Sequence, residues 1–99
     1  MKVKFPFEPF NTLVKNGKID GVMKEIIESI KPEMIYFTDF DGCRGCICVL
    51  DIQNQSQIPS VAEPFFLNLN AECRFSVAMT PQDLAAADLI SLGKKWNKV

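Results

Sequence analysis

Two runs of the chain, residues 34–40 and 46–52, are apolar at almost every position. Strand side chains alternate between faces, so Met34, Tyr36 and Phe40 fall on one side of the first run and Ile35 and Phe37 on the other. In the second run Cys46, Cys48, Leu50 and Ile52 share one face, opposed by Ile47 and Val49. An antiparallel sheet covered on one side only would alternate cleanly between apolar and polar residues. Both faces of this hairpin therefore call for cover, and a chain of 99 residues has few elements to supply it. The pattern predicts a homodimer, with a second copy covering one face.

Around the hairpin the periodicity changes with each segment. Residues 2–7 read as a first strand, with Val3, Phe5 and Phe7 opposite Lys2 and Lys4; Pro6 and Pro9 keep it short. A helical turn over residues 11–15 breaks at Asn16-Gly17. Ile19, Val22, Met23, Ile26, Ile27 and Ile30 then repeat at helical spacing, with Lys24, Glu25 and Glu28 on the wet side and Pro32 as the stop. Residues 41–45, with two glycines, read as the hairpin turn. Ser56 suits the cap of a second amphipathic helix carrying Ile58, Val61, Ala62, Phe65, Phe66 and Leu69, kinked at Pro64. A fourth strand is expected over residues 72–79. Thr80-Pro81-Gln82-Asp83 opens a C-terminal helix, which the glycine at 93 should interrupt.

The order β-α-β-β-α-β is the split β-α-β, ferredoxin-like arrangement. Right-handed crossovers would place both main helices on one face of a four-stranded antiparallel sheet and leave the other open. The expected fold class is α+β: a single ferredoxin-like domain over residues 1–99 with an added C-terminal helix.

Lys31-Pro32-Glu33, Tyr36-Phe37-Thr38, Ile58-Pro59, the run from Ala62 to Leu67, Asn70-Ala71 and the run from Met79 to Leu84 resemble a group of short bacterial proteins of the dimeric α/β-barrel superfamily. These proteins have no assigned activity. The resemblance implies that two ferredoxin-like sheets pack face to face in a dimeric α/β barrel. More distant relatives by fold include cofactor-free monooxygenases, muconolactone isomerase and stress-responsive barrel proteins, though fold kinship does not transfer chemistry.

Composition narrows the functional classes. A net charge of −1 gives no field for a phosphate backbone, so nucleic acid is not expected as a partner. The N-terminus lacks a signal-peptide core, and no apolar run approaches the roughly 20 residues of a membrane span. A cytoplasmic setting is expected, where the four cysteines stay reduced. The chain contains no histidine, which removes the commonest general base and metal ligand together. The histidine–aspartate site of some fold relatives has no counterpart here.

Candidate chemistry is sparse. Cys43, Cys46 and Cys48 include one C-x-x-C pair, but zinc usually takes two such pairs or histidine, and Cys73 would have to come from another strand. Cysteine is also readily buried, so packed thiols with no bound metal are expected. The aromatic set Phe65, Phe66, Phe75 and Trp96 reads as packing rather than a cofactor box. Asp39 and Asp41 read as strand-end and turn residues. Serines lack an activating histidine, no phosphate-cradling glycine loop is present, and no cofactor is expected. One ligand-binding set remains. Strands one and four are neighbours in the expected sheet, which allows Lys4 and Arg74 to lie side by side; facing the dimer's interior rather than solvent, they would form an anion-attracting pocket, with Tyr36 as an added hydrogen-bond donor. The alternative is a solvated sheet edge. The leading expectation is a dimeric small-molecule-binding or accessory protein taking a small organic acid or aromatic ligand. The alternative is a cofactor-free, monooxygenase- or isomerase-like enzyme acting on an aromatic or polyketide-like substrate.

Overall fold

The computed structural model describes residues 1–98. Four strands form one antiparallel sheet in the order β2-β3-β1-β4: β1 (Lys2–Lys4), β2 (Met34–Phe40), β3 (Cys43–Val49) and β4 (Glu72–Arg74). Five helices are present among the described residues: α1 (Phe10–Lys15), α2 (Ile19–Ile30), α3 (Gln57–Leu69), α4 (Pro81–Ala86) and α5 (Leu89–Lys95). The architecture is α+β. No helix among the described residues is long and apolar enough to cross a membrane.

Helix α2 follows the expected bounds because its apolar stripe and its stop signal agree. Ile26 and Ile30 are buried, and Lys31 takes a left-handed conformation immediately before Pro32. Helix α3 ends in the same way at Asn70, whose short polar side chain tolerates that conformation. It runs unbroken through Pro64. The Ser56 hydroxyl makes no capping bond to the helix; Gln57 Oε1 instead accepts from the backbone of Gln53 (2.6 Å) and Asn54 (3.2 Å).

The hairpin turn is shorter than the composition implied. Asp41 and Gly42, both at positive φ (53° and 79°), complete it in two residues, the geometry that matches strand twist best. Strand β3 therefore starts at Cys43, and Leu50 and Ile52 lie beyond it. Gly45 is a strand residue. A Cβ there would strike the Phe40 ring and come within 2.7 Å of the Val3 carbonyl oxygen.

Burial separates the two sheet faces. Val3, Cys46 and Cys48 are fully covered and pack with Phe5, Ile26, Ile30, Val61, Phe65 and Leu69 of the helical layer. Phe5 centres this core, with ring centroids 5.2 Å from Phe10 and 6.0 Å from Phe65. On the opposite face Met34, Tyr36, Ile47 and Val49 remain exposed.

Strand β4 stops at Arg74 instead of reaching residue 79. Strand β1 pairs with it only over Lys2–Lys4, so the alternating residues 75–79 have no ladder to join. Every residue from 75 to 98 is exposed. The helical tail divides at Ala87-Asp88 rather than at Gly93, because Asp88 takes a left-handed conformation and caps α5 through Ser91. This tail stretches the molecule to 63 × 28 × 20 Å, with a radius of gyration of 18.0 Å, against about 13 Å for a compact chain of 100 residues.

Candidate functional site

The open face of the sheet is organised in rows. Tyr36 lies opposite Ile47, Ile47 opposite Lys2, and Lys2 opposite Arg74, so one register line crosses all four strands. A parallel row runs Thr38, Gly45, Lys4, Glu72, and on the other side Met34 faces Val49. One half of the face is therefore apolar and phenolic, the other cationic.

Two clefts open along this surface. The smaller, of about 250 Å3, is bordered by Lys2, Lys4, Phe40, Asp41, Glu72 and Arg74. The larger, of about 560 Å3, has Lys2, Ile47, Val49 and Arg74 on its sheet side and Phe75 and Met79 among its other walls. Lys2 and Arg74 border both. Lys4 and Arg74 meet at the smaller cleft, but they stand diagonally: the cross-strand partner of Arg74 is Lys2, and that of Lys4 is Glu72. Lys4 also pairs with Asp41 at 3.6 Å. Tyr36 is 60% exposed and borders neither cleft, although it shares the row of Lys2 and Arg74.

This placement changes the ranking of the cations. Asp41 offsets Lys4, whereas among the described residues neither Lys2 nor Arg74 has a carboxylate within 4.0 Å. Lys2 is the residue that strand alternation placed on the correct face but could not place opposite Arg74. Only the register reveals that, and a slip of one residue would reverse every side chain.

Cys46, Cys48 and Cys73 belong to the opposite, covered face, whereas Cys43 lies on the open one. Cys46 and Cys48 are buried with their sulfurs 3.9 Å apart, and Val3 lies between Cys46 and Cys73 in the register. The C-x-x-C pair thus lies within β3 and does not span the turn. The hydrogen bond with Cys48, together with burial, pushes the Cys46 thiol well above its ordinary range. Burial first, then proximity to Cys48, raises Cys73 to about 11. Cys73 should therefore hold about 100-fold less thiolate near neutral pH than a thiol at 9.0. Half-buried Cys43 should be alkylated first by iodoacetamide, with Cys73 slower and Cys46 and Cys48 last. Peptide mass mapping over a time course checks this order, and rapid labelling of Cys46 would contradict it.

Other candidates are displaced from any cluster. Asp39 faces Arg44 across the hairpin, while Arg44 donates to Asn11 Oδ1 (2.7 Å) and stacks 4.5 Å from the Phe10 ring centre. Of the four aromatic residues expected to pack, only Phe65 is buried; Phe66, Phe75 and Trp96 are exposed. Comparison with family models, curated proteins and solved structures gives no match.

Proposed function

We propose that the protein is a cytoplasmic homodimer that binds a small organic acid against its open sheet face. The strand order β2-β3-β1-β4 with a helical layer on one side supports a ferredoxin-like reading, and the apolar half of the other side supports pairing of two such sheets into an α/β barrel. The observation that carries the ligand assignment is the row Tyr36, Ile47, Lys2, Arg74. It sets a guanidinium and an ammonium without carboxylate partners beside an aromatic and aliphatic wall.

A carboxylate suits the planar fork of Arg74, and Lys2 opposite it adds positive charge, while Lys4 one row away is offset by Asp41. Apolar atoms of the ligand would lie toward Ile47 and Val49, with the Tyr36 hydroxyl as a further donor. A second sheet across the face would remove water and strengthen each ionic contact.

Isothermal titration with benzoate as the probe tests this reading. Arg74 is exposed and its removal leaves the core intact, so Arg74→Ala should fold and dimerise normally. It should bind benzoate about ten-fold or more weakly, the scale of one hydrogen bond to a charged group. Benzoate binding unchanged by the substitution, or the absence of binding to the unaltered protein at millimolar concentration, would overturn the assignment.

A further inference from the structure

We propose that residues 75–98 form an arm exchanged between two copies of the chain, with its apolar side chains seated on the partner's body along the rim of the interface that the two open sheet faces make. The inference rests on the homodimer proposed above and specifies what holds it together. The first observation is that no residue of the arm is buried within its own copy. Val77 is 97% exposed, Ile90 75% and Trp96 65%, and no residue of α4 or α5 is buried. Leu89, Leu92 and Trp96 fall at i, i+3 and i+7 and form an exposed apolar stripe.

The second observation is that these helices cannot be sustained by local forces. Helix α4 has 6 residues and α5 has 7, whereas isolated helices below about 12–15 residues are marginal in water. Both nevertheless begin with well-made caps. Thr80 and Asp83 form a reciprocal capping box, and Asp88 accepts from the backbone and hydroxyl of Ser91. The ends are built for helices whose stabilising surface lies elsewhere.

Three features identify that surface as a second copy. The arm leaves β4 beside the open face, since Phe75, Met79 and Asp83 border the same cleft as Ile47 and Val49. Its base is therefore continuous with the face left bare. The molecule is 63 Å long but only 28 Å across, so the arm projects away from its own body. Charge also fits: residues 1–74 carry ten acidic and eight basic side chains, while the arm carries two acidic and three basic ones. Its basic end, Lys94, Lys95 and Lys98 around Trp96, would approach an acidic body. Reciprocal exchange about a two-fold axis satisfies both bare surfaces of both copies and closes, leaving no open edge for further growth. About two dozen residues per arm is the size of one side of a standard interface.

Trp96 is the single tryptophan of the chain and lies in the arm, so the full-length protein reports on itself. Acrylamide quenching and emission wavelength should be followed from nanomolar to tens of micromolar concentration, alongside sedimentation. The expected result is protection of Trp96 and a blue shift that appear with the dimer and share its midpoint. Leu89→Asp places an acid in the first turn of α5, where the helix tolerates it, and removes an apolar side chain of the stripe. It should move that midpoint up at least about ten-fold. A dimer in which Trp96 stays as accessible as in the monomer overturns the exchange and leaves the homodimer intact. Equal protection of Trp96 in the monomer and in the dimer also overturns it, since the arm would then fold onto its own body. A chain that remains monomeric throughout overturns both readings.

Discussion

Phe65→Ala should destabilise the folded chain by about 3–5 kcal/mol, the usual range for truncating a wholly buried phenylalanine. Phe65 is fully inaccessible, lies on the buried side of α3 and meets the Phe5 ring at 6.0 Å. Its loss would leave a void between the helical layer and the sheet, bordered by side chains that strand and helix geometry hold in place. A domain of this size has total stability on the order of 5–15 kcal/mol, so the substitution removes roughly a fifth of it or more. Urea denaturation followed by far-UV circular dichroism gives the value. A change below about 1 kcal/mol, the level of ordinary surface substitutions, would mean that Phe65 is not packed in the core.

Val49→Lys should have the largest effect on assembly and little on the fold. Val49 is 40% exposed on the open face and pairs with Met34. In the monomer a lysine there can lay its methylenes on the sheet and keep its ammonium in water. In a dimer closed over this face the same ammonium would be desolvated among Met34, Tyr36 and Ile47, with no carboxylate in its row. Burying an unpaired charge costs several kcal/mol, so dimer dissociation should become easier by about 100-fold or more. Sedimentation equilibrium combined with a thermal melt separates the two effects. Unchanged dimerisation would place the interface on another surface.

Parts of this architecture were readable because several local signals agreed. Six apolar residues at helical spacing and a proline after them specify α2 from Ile19 to Ile30. Thr80, Pro81 and Asp83 specify the start of α4 in the same way. Errors arose where one residue type serves two purposes. Gly45 looks like a turn residue, yet it lies within β3 because the Phe40 ring and the Val3 carbonyl leave no room for a Cβ. The glycine at 93 looks like a break, yet α5 runs through it, and the break falls at Asp88, where side-chain bonds to Ser91 hold a left-handed residue. The alternation over residues 73–79 is strand-like, but a strand needs a partner, and β1 provides one only as far as Lys2.

The candidate site was legible to the level of faces and not of register. Alternation permitted Lys4, Tyr36 and Arg74 to share one face without demanding it, and the register sets them on the open side. It could not show that Lys2 rather than Lys4 stands opposite Arg74, or that Asp41 would pair with Lys4. The exposed tail was illegible for a different reason. Apolar periodicity states that a surface must be buried without stating in which copy of the chain.

The central claim is that the bare sheet face is an interface between two copies, and sedimentation equilibrium of the unaltered protein at micromolar concentration tests it most directly. A single species at twice the chain mass of 11.1 kDa is the predicted result. A well-behaved species at the monomer mass would contradict it.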